Sequence, residues 1–426
     1  MAQRPSETAA LPPLDLAGLP LRLVERGMRG LPLSEQIGSF CRSVYDSGFP
    51  MKRVQMGMYT LHPRYGSHTF VWRPEAPAVE YTPRERRTLE RDIFLKSPVH
   101  HMRSNRLFAL RRRIDSDAAA AEFSIFTELR AEGLVDYAAR IVPYELETAS
   151  APGRQPTGDG QAIPGSTQQL DGIFFSCATD RPEGFDDGQL AQVGQCLPYL
   201  ALAAKSRLTY DVANTVLETY LGRDAGRRVL TGTIERGTAQ SIRAVIWFAD
   251  LRGFTRLADR LPAALLIETL NDYLDAMAAP IEARGGQILK FMGDGLLATF
   301  DLTGRDGGTV CRDALTAAAD LRTGFPALNA AREAAGKPVM DFGLALHLGE
   351  VLYGNVGASD RLDFTVIGPA VNEASRIQSL CRPLERNVLV SGSFQETAGD
   401  SAPLDSLGFH ALRGVSEPQE LFGLRR

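Results

Sequence analysis

The chain has 426 residues, of which 44% are hydrophobic and 23% are charged, with 40 Gly and 25 Pro. This is a globular composition, and the length suits two domains plus a connector. The formal net charge of -4 argues against a nucleic-acid partner, because proteins that bind a phosphate backbone usually present a strongly basic surface. The longest apolar stretches are shorter than the roughly 18 residues needed to cross a bilayer, so no membrane span is expected.

The N-terminus and the cysteines indicate the compartment. The first residues lack the apolar segment of a secretory signal, which predicts a cytoplasmic protein. The five cysteines are odd in number, widely scattered and without a C-x-x-C pair, so we expect reduced, mostly buried thiols. His100 and His101 are adjacent, and adjacent side chains point in different directions on any regular element. A metal site at these histidines is therefore not favoured.

The N-terminal half is expected to contain a tail and one mixed domain. Residues 1–30 have no sustained apolar period, which predicts a flexible, loosely held tail. In residues 31–197, short strand-like runs alternate with helical stretches, which indicates an α+β domain. The predicted strands are 56–61, 69–72, 141–146 and 172–178, and the predicted helix is 118–132. Residues 148–169 are interpreted as a long loop inside this domain, because the strand at Ile173 would otherwise lack a partner.

The end of this domain is a strand, a turn and a helix, with Asp186 or Asp187 as the helix N-cap. This order resembles the end of GAF-type small-molecule sensor domains, in which a final strand runs into a C-terminal helix. The resemblance implies a GAF-like sensor with an unidentified small-molecule ligand. The alternative is an ordinary strand-turn-helix in another α+β fold.

Residues 198–240 are predicted to be a helical connector. Apolar residues recur mostly every fourth position from Leu200 to Tyr220, which is the pattern of one helix face. Such a helix can carry a rotation from a sensor to a catalytic domain, or it can simply pack on its own domain. Gly222 and Gly226 are expected to break the helix before a turn-rich segment that ends at Gly237.

From Ser241 onward, strands alternate with long amphipathic helices, as in an α/β sandwich. Asp250 ends the first strand beside a helix start, where a carboxylate can hold a divalent cation and free amides can face a polyphosphate. Asp294 lies in a glycine-flanked turn between two later strands. Each residue alone has a simpler explanation, as an N-cap or a turn former. Together, the two carboxylates predict a site for two divalent cations of the kind used in phosphoryl transfer.

A second pair of polar residues occurs further along the chain. Asn372 and Arg376 are four residues apart and therefore share one face of a helix. An amide and a guanidinium directed at one place can stabilise an anionic transition state. The alternative is a polar stripe that faces solvent.

Four segments together resemble the catalytic domain of the class III nucleotidyl cyclases, in order and at familiar spacing. The resemblance covers about residues 241–424 and implies a ferredoxin-like or palm-type α/β sandwich for the domain 241–426. It also implies that Asp250 and Asp294 ligate two Mg²⁺ or Mn²⁺ ions per active site, with the carbonyl of Leu251 assisting. The segments are Phe248-Ala-Asp-Leu-Arg-Gly-Phe-Thr255, Lys290-Phe-Met-Gly-Asp-Gly295, His347-Leu-Gly-Glu-Val-Leu-Tyr-Gly-Asn-Val-Gly357 and Phe364-Thr-Val-Ile-Gly-Pro-Ala-Val-Asn-Glu-Ala-Ser-Arg-Ile377.

The resemblance assigns further roles to single residues. Lys290 and Thr365 match the positions that read the purine, and a Lys donor with a hydroxyl acceptor complements adenine. Guanylate-forming relatives usually have Glu at the Lys position. Asn372 and Arg376 match the pair that orients the ribose and stabilises the α-phosphoryl oxygens. Arg413 falls where the family has a Lys or Arg on the terminal phosphates, although it can equally be a surface arginine.

The implied reaction is attack of the ribose 3'-hydroxyl of ATP on the α-phosphorus, which yields cyclic AMP and pyrophosphate. In this family the active site lies between two catalytic domains, so a chain with one such domain implies a homodimer with two composite sites. We assign no general base. Pro369 and Glu373 depart from the family pattern, where Asp and an apolar residue are common, and regulation by the N-terminal domain is expected.

Two other functions remain open. One is a non-catalytic dimeric sensor with a cyclase-like domain, although inactive relatives usually lose a metal-binding Asp and this chain keeps both. The other is a guanylate or diguanylate cyclase. Residues 292–297 superficially resemble the turn motif of diguanylate cyclases, but the second acid and the Phe of that motif are missing.

Overall fold

The computed structural model describes residues 12–86, 92–144 and 172–425. The chain divides into two compact units, Met1–Val216 and Leu217–Arg426. Among the described residues, no helix is both long and apolar enough to span a membrane.

The first unit is built on a six-stranded antiparallel sheet. Its strand order is β3-β2-β1-β6-β5-β4, so the first and last strands of the unit pair at the centre. The strands are β1 Arg53–Tyr59, β2 Tyr65–Trp72, β3 Glu80–Glu85, β4 Ala109–Arg113, β5 Asp136–Pro143 and β6 Gly172–Thr179.

Helices cover both faces of this sheet. On one face, Phe40 and Leu200 pack with Phe175 of β6. On the other face, Phe126 packs with Phe174, as the alternation of side chains along a strand requires. The helices are α1 Leu19–Met28, α2 Leu33–Asp46, α3 Asp92–Leu95, α4 Pro98–Ser104, α5 Asp117–Ala120, α6 Ser124–Ala131 and α7 Asp187–Leu221.

Two expectations for this unit need correction. Residues 19–28 are not a loose tail, because Leu19 and Leu23 of α1 are buried in the core. The single helix expected over 118–132 is two helices, α5 and α6, because the buried Phe123 between them adopts an extended conformation. The four predicted strands correspond to β1, β2, β5 and β6. The loop expected at 148–169 and the first eleven residues lie outside the described residues.

Helix α7 begins and ends near the expected residues, but it continues without a break across the expected boundary between domain and connector at 197/198. The Asp186 side chain accepts a hydrogen bond of 2.9 Å from the Gln189 amide, which identifies it as the N-cap. Gly222, with φ +86°, ends the helix. Gly226 does not break it as expected but lies inside α8, Arg223–Leu230. A Cβ at Gly226 would lie 3.0 Å from the backbone of Leu217, so the glycine permits a close backbone approach.

The second unit is built on an eight-stranded sheet. Its strand order is β13-β14-β12-β10-β7-β9-β8. The remaining strand, β11, pairs with residues 352–358 at the C-terminal end of β10. The β10–β12 pair is parallel and the other pairs are antiparallel. The strands are β7 Ala239–Arg252, β8 Gln287–Met292, β9 Gly295–Asp301, β10 Asp341–Ala358, β11 Arg361–Ile367, β12 Val388–Ser391, β13 Leu404–His410 and β14 Gln419–Leu424.

Helices lie on both faces of this sheet as well. Successive side chains of β7 point to opposite faces of the sheet and pack into two different cores. Trp247 packs with residues of α10 and α11, whereas Ile246 packs with residues of α8 and α12. The mixed α+β fold expected from the sequence is confirmed. All five cysteines are buried free thiols, as expected. The remaining helices are α9 Phe254–Ala258, α10 Ala263–Ala283, α11 Gly307–Ala334, α12 Pro369–Ser379 and α13 Gly392–Ala398.

Candidate functional site

Asp250 and Asp294 lie side by side where β7 and β9 meet. Asp250 pairs across the sheet with Gly295, the residue that follows Asp294. The Leu251 amide donates a 3.1 Å hydrogen bond to the Asp294 carbonyl, which ties the turn to the strand. The structure therefore brings together the two carboxylates that the sequence predicted as a pair.

The glycines of this turn are required by its geometry. Gly293 has φ +66°, in the left-handed region that disfavours side chains. A Cβ at Gly295 would lie 2.7 Å from the Ala249 carbonyl oxygen and 3.0 Å from a carboxylate oxygen of Asp250. The Gly-Asp-Gly sequence thus serves both the turn and the close approach of the two acids.

Asp294 affects the protonation of Asp250. Burial raises the pKa of Asp250 to about 6, and the charge of Asp294 and a hydrogen bond with it add to this increase. A nearby negative charge favours the protonated form of a carboxyl, because ionising the carboxyl beside that charge costs free energy. A divalent cation can replace that proton, and carboxylate oxygens are ligands that Mg²⁺ and Mn²⁺ prefer. The pair fits such an ion, although no cluster of three or more acidic, His or Cys ligands occurs in the part of the chain that the structure describes.

The raised pKa has a consequence for stability. A carboxyl with a raised pKa in the folded protein binds its proton more tightly there than in the unfolded chain. Its contribution to the free energy of unfolding is complete below the unfolded-state pKa of about 4. The contribution is lost as the pH rises through the folded-state pKa. Without divalent cations, Asp250→Asn should therefore increase the free energy of unfolding near pH 8 by roughly 1 kcal/mol, after discounting for the half-exposed carboxyl. It should change little near pH 4.

Urea unfolding in EDTA at the two pH values measures this effect. Asp259→Asn, a change at an exposed carboxylate after α9, is the matched control and should show no such pH dependence. Equal effects of Asp250→Asn at both pH values would contradict the interpretation.

Lys290 and Thr365 lie on β8 and β11, two strands that are not paired with each other in the sheet. Lys290 on β8 donates a 3.1 Å hydrogen bond to Asp363 on β11. Asp363 and Thr365 are two residues apart and share one face of that strand. The Thr365 hydroxyl oxygen is buried and has no hydrogen-bond partner among the residues that the structure describes, and an unpaired buried polar group costs about 1–3 kcal/mol. A ligand group that paired with this hydroxyl would relieve that cost.

Asn372 and Arg376 lie on α12, as the four-residue spacing predicts. The helix follows Gly368 and has Pro369 in its first turn, a position that suits proline because no N–H is needed there. Asn372 is exposed and Arg376 is partly buried. The Arg376 guanidinium lies 3.5 Å from where a Cβ on Gly414 would be. The 411–418 loop therefore packs on Arg376 and keeps the exposed Arg413 next to this contact.

Two contacts of this region were not predicted from the sequence. Asp363 pairs with Lys290, and its position two residues before Thr365 on one strand was the available signal. Glu373 accepts a 3.0 Å hydrogen bond from Gln419. Nothing local indicates that contact, because the partner lies 46 residues away.

Part of the second unit matches a known protein family. Residues 238–419 match the family "Adenylate and Guanylate cyclase catalytic domain". An adenylate cyclase of Anabaena cylindrica is 38% identical over 164 residues, which are 38% of this chain and 32% of the relative. Adenylate cyclase 1 of Rhizobium meliloti (strain 1021) is 28% identical over 178 residues, 41% of this chain and 26% of the relative. The chain thus spans about a third or less of the length of these relatives.

Among solved structures, the adenylyl cyclase CyaB from P. aeruginosa is similar, with a TM-score of 0.41 and 28% identity. The match covers 44% of this chain and 96% of that chain. The family match and the curated relatives support a class III cyclase catalytic domain at the C-terminal end of the chain.

Proposed function

We propose that this chain is an adenylate cyclase, which converts ATP to 3',5'-cyclic AMP and pyrophosphate. The observation that carries the proposal is the pair of adjacent carboxylates, Asp250 and Asp294, inside the segment that matches the cyclase family. Two of the curated relatives are named adenylate cyclase, which favours this activity over a purely structural role.

Asp250 and Asp294, together with the Leu251 carbonyl, are proposed to hold two Mg²⁺ or Mn²⁺ ions. When bound, such ions neutralise triphosphate charge and lower the pKa of a coordinated hydroxyl. The protein's own contribution is to keep both carboxylates at one place. The hydrogen bond from Leu251 to the Asp294 carbonyl and the small Gly295 maintain that placement.

Base selection is assigned to Lys290 and Thr365. Adenine presents an acceptor at N1 and a donor amino group, which match a Lys donor and a hydroxyl acceptor. The Thr365 hydroxyl supports this role because its hydrogen-bonding capacity is unused among the described residues. Asp363 holds the Lys290 ammonium group on the same side of the sheet as Thr365, so it is proposed to orient the lysine before ATP binds.

The remaining contacts to substrate are assigned to α12 and the 411–418 loop. Asn372 is proposed to orient the ribose, and Arg376 to stabilise the charge that develops on the α-phosphoryl oxygens. Arg413 is proposed to bind the terminal phosphates. Positioning and charge stabilisation of this kind account for most of the rate in phosphoryl transfer, which needs little covalent participation by the protein.

The active site is proposed to be shared between two copies of the chain. One copy would supply the acidic pair, and the other would supply Lys290, Thr365 and the residues of α12. Each homodimer would then contain two equivalent composite sites. The second unit is proposed to have the ferredoxin-like or palm-type arrangement of this family, with the catalytic domain starting near residue 241.

The first unit is proposed to be a GAF-like sensor that regulates the catalytic domain. Its last strand, β6, runs into α7, which agrees with that resemblance. A cavity of 220 Å³ lies on its sheet and is lined by residues that include Phe174, Tyr59 and Arg103. The Arg103 guanidinium lies 4.2 Å from the centre of the Tyr59 ring. This cavity is a candidate site for the unidentified small-molecule ligand.

The proposed activity is tested by incubating the purified chain with ATP or GTP and Mg²⁺ or Mn²⁺ and identifying the products by chromatography and mass spectrometry. Cyclic AMP and pyrophosphate from ATP are expected. The absence of any cyclic product would contradict the proposal, and cyclic GMP from GTP at a higher rate would reassign the substrate. Repeating the assay with the small-molecule fraction of a cell extract tests whether the first unit regulates the rate.

A further inference from the structure

The 411–418 loop, which connects β13 to β14, lies against α12, and so does Gln419 at the start of β14. Leu412 is buried in one apolar cluster with Ile377 of α12. The Arg376 guanidinium lies 3.5 Å from where a Cβ on Gly414 would be. At the end of the loop, the Gln419 side chain donates a 3.0 Å hydrogen bond to the Glu373 carboxylate. The loop and the helix are therefore joined along the helix length, and Glu373 forms the polar contact.

Glu373 occupies a particular position on the helix. It follows Asn372 directly and precedes Arg376 by three residues. Successive residues are rotated by about 100° around a helix, so Glu373 can contact the loop without occupying the place of Asn372. The resembled family commonly has an apolar residue here, so this polar contact is a feature of this chain rather than of the family pattern.

The surroundings favour a fixed Glu373 side chain. The carboxylate is 22% exposed, and its Oε2 atom lies 3.6 Å from Nε2 of His347, which is 7% exposed. Burial lowers the pKa of His347. The negative charge of Glu373 opposes this shift of the His347 pKa. The hydrogen bond from Gln419 holds the Glu373 carboxylate towards the end of the loop.

We propose that Glu373 and Gln419 form a positioning pair that fixes α12 relative to the 411–418 loop. The pair acts through other residues: it sets the distance between Arg376 on the helix and Arg413 on the loop, so that both reach the same triphosphate. This inference rests on the proposed adenylate cyclase function, because that function assigns phosphate contacts to the two arginines.

Kinetics of four variants test the pair. Glu373→Ala and Gln419→Ala should each lower kcat for ATP about tenfold and change KM less than about threefold, because misplacement of transition-state contacts affects kcat more than binding. Glu373→Gln should stay within about threefold of the wild type, because its amide oxygen still accepts from Gln419. The double variant Glu373→Ala/Gln419→Ala should be no slower than either single variant, since both remove one interaction.

Two further variants separate positioning from folding. Glu373→Leu places an apolar residue there, as is common in the resembled family, and should show the same loss of kcat with a folded chain. Glu396→Ala is the matched control. Glu396 is an exposed carboxylate on α13, and it lines one surface cleft together with Glu373 and Gln419. Its removal should leave kcat unchanged.

Hydrogen–deuterium exchange gives a readout that does not depend on turnover. The amides of residues 411–418 should exchange faster in Glu373→Ala and Gln419→Ala than in the wild type, Glu373→Gln or Glu396→Ala. Unchanged exchange in this loop overturns the proposal, as does faster exchange spread evenly over the whole second unit. A wild-type chain without cyclase activity would contradict the proposed function, while the exchange data would still decide whether the pair holds the loop.

Discussion

Replacing either Asp250 or Asp294 by alanine should lower cyclic AMP formation by at least about 10³-fold, because bound cations contribute several kcal/mol of charge stabilisation and each 1.36 kcal/mol corresponds to a factor of ten in rate. The two residues lie side by side at the β7–β9 junction, so neither carboxylate is expected to replace the other. Both variants should lose activity to a similar extent.

The measurement is the rate of cyclic AMP formation at saturating ATP and Mn²⁺, with size-exclusion chromatography to check that the dimer persists. Asp259→Ala removes an exposed carboxylate nearby in the sequence and should keep wild-type activity. Activity near the wild type in Asp250→Ala or Asp294→Ala would refute the assignment of this pair as metal ligands. Loss of the dimer in these variants would instead indicate a structural role.

Changing Lys290 to Glu and Thr365 to Cys should shift the ratio of kcat/KM for ATP over GTP by about 10²-fold or more towards GTP, because groups built to hydrogen-bond one base edge are left unpaired by the other. Guanine presents a donor at N1 and an acceptor at O6, the reverse of adenine. A Glu acceptor at position 290 therefore suits the N1 donor of guanine, whereas the Lys donor suits the N1 acceptor of adenine.

The contact between Lys290 and Asp363 affects the design of this experiment. A Glu at position 290 would face the Asp363 carboxylate, and two like charges at short range repel each other. The exchange should therefore be made in two backgrounds, with Asp363 retained and with Asp363→Asn, and Asp363→Asn alone serves as the matched control. A ratio of ATP to GTP use that is unchanged in both backgrounds would show that other residues read the base.

Much of the fold follows from local sequence patterns. The predicted strands at 56–61 and 172–178 and the N-cap at Asp186 depend on neighbouring residues, and the structure contains them. The errors arose where tertiary packing overrides local signals. Helix α1 looked like a tail because Pro20 and the short apolar pattern gave little local evidence, whereas burial of Leu19 and Leu23 stabilises it.

Gly226 shows the same limit in a different way. A glycine after a helical run usually indicates a stop, but here it lies within α8 and permits a close approach to the Leu217 backbone. The choice between a break and a close contact depends on what lies opposite the residue in space. A single sequence does not contain that information.

In the candidate site, too, local patterns could be predicted from the sequence and long-range contacts could not. The shared helix face of Asn372 and Arg376 follows from helical periodicity, and the pairing of Asp250 with Asp294 was predicted from two carboxylates at strand ends that suit a pair of cations. The contacts that orient these groups depend on partners far away in the chain. Asp363 lies 73 residues from Lys290, and no periodicity connects residues over such a separation.

The central claim is that ATP is cyclised at a site shared between two copies of this chain. It is tested most directly by mixing two inactive variants, Asp250→Ala and Arg376→Ala, under conditions that allow subunit exchange, and measuring cyclic AMP formation. With random exchange in a two-fold dimer, mixed dimers keep one intact site, so we expect about a quarter of the wild-type activity. A mixture as inactive as each variant alone, with exchange of subunits verified, would contradict the account.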